Sequence, residues 1–116
     1  MLLSWLAAFG LTLAVEVPLY AAALRLAWGV PLAKALRLGT GVNLVTHPVL
    51  WWSLTPWTGR PWYPCLVVGA EAAVCVAEWG VLALTVRRDR VALAALSAGV
   101  NAVSVLAGLT AAAASA

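Results

Sequence analysis

Four apolar runs, each long enough to cross a bilayer as a helix, alternate with three short polar breaks along this chain. The first run covers about residues 2–24 and stops at Arg25, after which Gly29, Val30 and Pro31 make a break. The second covers about 32–54. Pro31 suits the first position of its helix, and Lys34 and Arg37 can snorkel from its start. Thr55 to Trp62, rich in Pro, Gly and Trp, is the second break, and the third run covers about 63–86. Arg87, Arg88, Asp89 and Arg90 make the third break before a final run at about 91–113. A helix needs roughly 20 apolar residues to cross a hydrocarbon core of about 30 Å. The pattern therefore predicts an all-α polytopic membrane protein: one transmembrane domain over 1–116, with four transmembrane helices in an antiparallel bundle.

Composition sharpens this. The chain is 65% hydrophobic and 9% charged, whereas a soluble domain carries about 25% charged residues. So few charges do not cover a water-facing surface, and the lipid bilayer is the expected partner. The formal charge of +3 comes from Lys and Arg clustered at the breaks, not from a broad basic face, which argues against nucleic acid. No Lys or Arg precedes the first run and Glu16 interrupts it, so a permanent helix is expected there, not a cleaved leader. Cys65 and Cys75 lie ten positions apart on one predicted helix, about 15 Å, too far for a disulfide.

The basic residues also predict orientation. Arg25, Lys34 and Arg37 flank the first break and Arg87, Arg88 and Arg90 the third, while the second has only Arg60. By the positive-inside rule the first and third breaks face the cytoplasm, and both termini lie outside a plasma (inner) membrane. Trp5, Trp51, Trp52, Trp57, Trp62 and Tyr63 fall near the outer interface in this arrangement. Trp79, next to Glu78, lies too deep to be an interface anchor.

The two helical hairpins resemble each other. Gly41-Val42-Asn43-Leu44-Val45-Thr46 aligns with Gly99-Val100-Asn101-Ala102-Val103-Ser104, and Glu16 and Glu78 each stand nine residues before an Arg. Both hairpins start on the same side, so the expected repeat is parallel, with a pseudo-twofold axis along the membrane normal. Two positions break it: His47 aligns with Val105, and Glu71 with Phe9.

Three of the four acidic residues lie inside runs, at an insertion cost of roughly 2.5–3.5 kcal/mol for a charge at mid-membrane. They should face the bundle interior. Helical spacing agrees: Gly39, Asn43 and His47 share one face, as do Glu71, Cys75 and Glu78, and Thr12, Glu16 and Tyr20. Ser97, Asn101, Ser104 and Gly108 form a stripe of small and polar residues. The candidate polar intramembrane site is thus Glu16, Asn43, His47, Glu71, Glu78, Asn101 and Ser104. Pro48 removes the N–H that would bond the Leu44 carbonyl, which is freed for a ligand or is simply the site of a kink. Interhelical hydrogen bonding is the competing account of the Glu and Asn residues, but each such bond returns only about 0.6–2 kcal/mol. His47 and Glu71 are expected in the outer half of the core, close enough to meet directly or through one water.

Titratable groups along a column suit proton- or small-cation-linked transport. In size, helix count and the Glu of its first helix, the chain resembles the small multidrug resistance transporters, in architecture and at Glu16 alone. Glu71, Glu78, His47 and the parallel repeat depart from that pattern. An alternative is a membrane-embedded metal-dependent hydrolase, with His47, Glu16, Glu71 and Glu78 holding a divalent metal ion. Those ingredients resemble the CAAX-type intramembrane proteases, whose paired-Glu motif and second His are missing here. With no complete catalytic motif, the non-enzymatic reading leads. A third reading is a non-catalytic subunit or assembly factor, in a homo-oligomer or a larger membrane complex. The whole pattern, including Asn43-Leu44-Val45-Thr46-His47-Pro48 and Asn101 with Ser104, is also similar to small uncharacterised bacterial four-helix integral membrane proteins. That resemblance implies no substrate.

Overall fold

A computed structural model describes residues 2–115, with side chains for 4–114. The chain is all-helical and its four helices form a bundle. They are α1 (Leu2–Trp28), α2 (Leu32–Leu54), α3 (Tyr63–Val86) and α4 (Arg90–Ser115), with a single 3₁₀ turn at Thr55–Trp57. α1 continues past Arg25 because nothing breaks it before Gly29, which takes the left-handed conformation at φ 66°. The Val30 N–H then closes on the Leu24 carbonyl at 3.0 Å. Pro18 and Pro48 lie within α1 and α2 without ending either helix.

α3 ends on Arg87 at φ 59°, and Asp89 before α4 has φ 54°. Two non-glycine residues in the left-handed region cost of order 1–3 kcal/mol each. The turn is tied down on both sides. Arg88 donates through Nη2 to the Trp28 carbonyl at the end of α1. Trp79 donates its indole N–H to the Arg90 carbonyl at 2.8 Å. Its depth in the sequence had separated Trp79 from the interface, yet its ring reaches the turn. Asp89 lies 3.7 Å from Arg88 Nε, both exposed.

Around the bundle each helix packs on two neighbours, in the order α1–α2–α3–α4 and back to α1. The bundle measures 43 × 24 × 20 Å, and its long axis matches a bilayer with headgroups, about 40–45 Å. α1, α3 and α4 are long and apolar enough to cross a membrane. α2 has 23 residues, about 35 Å of helix, but Lys34, Arg37, Asn43 and His47 make it the most polar of the four.

Polarity is arranged inside out. Leu26, Val45, Val49, Val68, Leu84 and Val91 are exposed, while Glu16, Asn43, Glu78 and Ser97 have no exposed surface. A water-soluble bundle reverses this. The apolar core, with Tyr20, Leu24, Val30, Ala35, Leu82 and Leu93, lies in the half nearest the first and third turns. α1 and α2 approach closely at Gly39, where an added Cβ would stand 3.3 Å from Tyr20 Cβ and 3.5 Å from the Val17 backbone.

Several buried positions of the two hairpins correspond, although buried Leu54 stands against exposed Ala112. Ala35, Gly39, Val42 and Asn43 on α2 match Leu93, Ser97, Val100 and Asn101 on α4, and all eight are buried. Glu16 and Tyr20 on α1 match Glu78 and Leu82 on α3 in the same way.

Candidate functional site

Glu78 of α3 is the point where all four helices meet. Tyr20 of α1 donates its hydroxyl to Glu78 Oε1 at 2.8 Å. Asn101 of α4 donates Nδ2–H to the same oxygen at 2.8 Å, and to the Ser97 carbonyl one turn back at 2.9 Å. Thr46 of α2 sits 3.2 Å from Glu78 Oε2 and 2.8 Å from the Val42 carbonyl, with one hydroxyl proton for two acceptors. The Asn101 amide also lies 3.5 Å from Tyr20 Oη. Ser97 donates to the Cys75 carbonyl at 2.9 Å, adding a further α3–α4 link. Glu78 is thus held from three directions.

Glu16 is buried without such support. Its side chain is 1% exposed, and Oε1 lies 3.5 Å from His47 Nε2. Both Glu16 oxygens and His47 Nε2 are buried, and none takes part in a hydrogen bond with a described residue. Glu16, His47 and Glu78 each offer one ligand atom within 4.8 Å of the others. One carboxylate of the group is pinned by its neighbours, while the other carboxylate and the imidazole have unused bonding capacity.

Glu16 and His47 of this group border a cavity of about 990 Å³ in the half of the bundle where α1 begins and α4 ends. Trp5, Phe9, Trp51 and Tyr63 line it near the termini and the second turn, and Glu16, His47 and Glu71 line its deeper part. Small residues leave the space: Ala7 and Ala8 on α1, Gly108 and Ala112 on α4. The Phe9 ring is tilted against His47 with centroids 6.4 Å apart. Trp5 stacks on both Phe9 and Trp52, at 5.4 and 5.9 Å. Opposite the cavity, the packed apolar core closes the bundle.

The seven residues singled out from sequence separate into three groups. Glu16, His47 and Glu78 come together, and Asn101 orients Glu78. Glu71 and Ser104 line the cavity wall. Glu71 is half-buried, and no hydrogen bond or ion pair joins it to His47 among the described residues. His47 turns to Glu16 instead. Asn43 is buried but donates to the Gly39 carbonyl of its own helix at 2.8 Å, leaving Oδ1 unbonded. Of the four expected metal ligands, the cluster holds Glu16, His47 and Glu78 and omits Glu71. Cys65 and Cys75 are free thiols.

Tyr20 and Thr46 stood outside the candidate set. Each carried a signal: Tyr20 follows Glu16 by one helical turn on the same face, and Thr46 is the repeat counterpart of Ser104. No protein-family model, curated protein or solved structure matches the chain.

Proposed function

We propose that this chain crosses a bacterial inner membrane four times with both termini outside, and that it carries a small cation through the Glu16–His47–Glu78 site, in proton- or cation-linked transport. One observation carries the reading. Glu16 and His47 turn buried, unbonded polar atoms toward each other at the deep end of a cavity of about 990 Å³. A carboxylate held only to join helices should accept hydrogen bonds, as Glu78 does from Tyr20 and Asn101. Interhelical bonds of that kind return about 0.6–1.7 kcal/mol each in lipid. Glu16 has only the 3.5 Å contact with His47 to set against its insertion cost, and a cation at its oxygens would supply more.

The matching buried positions of the two hairpins support an internal repeat. On this reading the shared frame holds the helices together, and the departures from it adapt one cavity. Phe9, His47, Glu71 and Val105, the positions where the repeat is broken, all line that cavity.

Flux tests the reading. The full chain is reconstituted in liposomes, and cation-driven flux is followed with an entrapped indicator. The expected result is a flux abolished in Glu16→Gln and retained in Cys65→Ser, whose site is exposed and remote from the group. Absence of flux in the parent chain, or flux in Glu16→Gln equal to the parent's, overturns it.

A further inference from the structure

We propose that the ion held by Glu16, His47 and Glu78 is a divalent transition-metal ion of the Zn²⁺ or Co²⁺ type. This rests on the reading of that group as the cation site.

Charge is the first argument. Every Lys and Arg of the chain is exposed, so no fixed cationic side chain faces Glu16 or Glu78 in the interior. Two carboxylates and a neutral imidazole around a doubly charged ion sum to zero. With both carboxylates ionised, a monovalent ion would leave a net negative charge in a region of low dielectric, where an uncompensated charge is costly.

Donor chemistry is the second. An imidazole nitrogen with carboxylate oxygens is a borderline set suited to Zn²⁺ and its neighbours, whereas Ca²⁺ and Mg²⁺ favour oxygen alone. Glu16 has two unbonded oxygens to offer. Glu78 Oε1 is engaged by Tyr20 and Asn101, while Oε2 has only the longer contact to Thr46 at 3.2 Å. Tyr20 and Asn101 would then act as outer partners that fix the direction of a ligand.

Spacing is the third. Ligand bonds of about 2.0–2.2 Å in a tetrahedral site place ligand atoms roughly 3.4 Å apart. The Glu16–His47 pair stands at 3.5 Å already. The group as a whole, within 4.8 Å, would close by up to about 1.4 Å around the ion, which a side-chain adjustment supplies. The cavity beside Glu16 and His47 gives the ion a route and leaves room for water at the remaining positions.

The test uses the full chain in mild detergent, stripped with a chelator and titrated with Co²⁺, then Zn²⁺. The expected result is one Co²⁺ per chain with visible absorption, displaced by Zn²⁺ and not by equal Mg²⁺ or Ca²⁺. Glu16→Gln and His47→Ala should weaken binding by more than the roughly 10–100-fold that loss of an outer partner costs. Cys65→Ser, at an exposed position remote from the group, should leave affinity unchanged. His47→Cys supplies a check independent of affinity: it should retain Co²⁺ and add a thiolate-to-cobalt band in the near ultraviolet. No saturable Co²⁺ or Zn²⁺ binding by the folded parent chain overturns the inference, as does binding that survives both Glu16→Gln and His47→Ala. If no metal binds while liposomes still show Glu16-dependent flux of protons or Na⁺, the metal inference falls and the transport reading stands. If one Co²⁺ binds as described and no flux occurs, the site stands and transport falls.

Discussion

Replacing Tyr20 by Phe deletes a single oxygen and keeps the ring that fills the core. That oxygen donates to Glu78 Oε1 at 2.8 Å and lies 3.5 Å from the Asn101 amide. Hydrogen bonds to charged groups contribute about 1.5–3 kcal/mol in proteins generally. Interhelical bonds in membranes average about 0.6 kcal/mol and reach roughly 1.7. The lower range applies here, because Glu78 keeps Asn101 and Thr46 and is not left orphaned. The expected loss is about 1 kcal/mol. Asn101→Ala removes the other donor to the same oxygen, so the two effects should not add. With both donors gone, Glu78 Oε1 has no partner, and the double variant should lose more than the sum of the singles by about 0.5–3 kcal/mol. Unfolding by SDS in mixed micelles, followed by far-ultraviolet circular dichroism, measures all four corners of this cycle. If Tyr20→Phe unfolds within about 0.3 kcal/mol of the parent and the cycle closes additively, the four-helix junction at Glu78 is not a working interaction. The same variant reports on ion binding, where loss of an outer partner should weaken Co²⁺ by about 10–100-fold.

Three further outcomes are expected. Gly39→Leu should destabilise the bundle by about 1–3 kcal/mol, because its side chain would enter space held by Tyr20 and the Val17 backbone; unchanged SDS unfolding would refute the close approach of α1 and α2. Glu71→Gln should weaken Co²⁺ affinity by less than Glu16→Gln does, since Glu71 lines the cavity outside the three-residue group and acts on the ion through its charge alone; an equilibrium titration showing equal losses for the two variants would place it among the ligands. A reporter fused after Ala116 should read as outside and one inserted at Gly29 as cytoplasmic, and the opposite result would refute the orientation drawn from the basic residues.

Much of the fold can be read from the chain because polar residues are rare in its apolar runs. Glu16, Asn43, Glu78 and Asn101 are so costly in lipid that their inward placement follows from their presence alone, and all four are buried. Pairing is harder to read. The spacing pairs His47 with Glu71 on the adjacent α3, but the imidazole meets Glu16 of α1, its other neighbour. Spacing along a helix gives depth to within a turn, whereas partner choice depends on helix rotation and on how closely the axes approach. That approach is set by local features such as the bare Cα of Gly39. The cavity is hidden in the sequence for a related reason. It arises from what Ala7, Ala8, Gly108 and Ala112 do not fill, and in a sequence this rich in Ala such residues do not stand out.

The one-sided cavity has an electrical consequence. At about 30 Å³ per water molecule, its 990 Å³ has room for on the order of 30 waters. If that space fills with water and opens to one aqueous phase, it would bring the potential of that phase nearly to Glu16 and His47. The transmembrane field would then drop across the short packed half around Tyr20, Leu24, Leu82 and Leu93, not across the full 43 Å. Occupying the site from the cavity side would move little charge through the field and depend weakly on voltage. Passing the packed half would take the ion through nearly all of it, about 2.3 kcal/mol per elementary charge for each 100 mV. Voltage would therefore act on the crossing step and leave the binding step almost untouched.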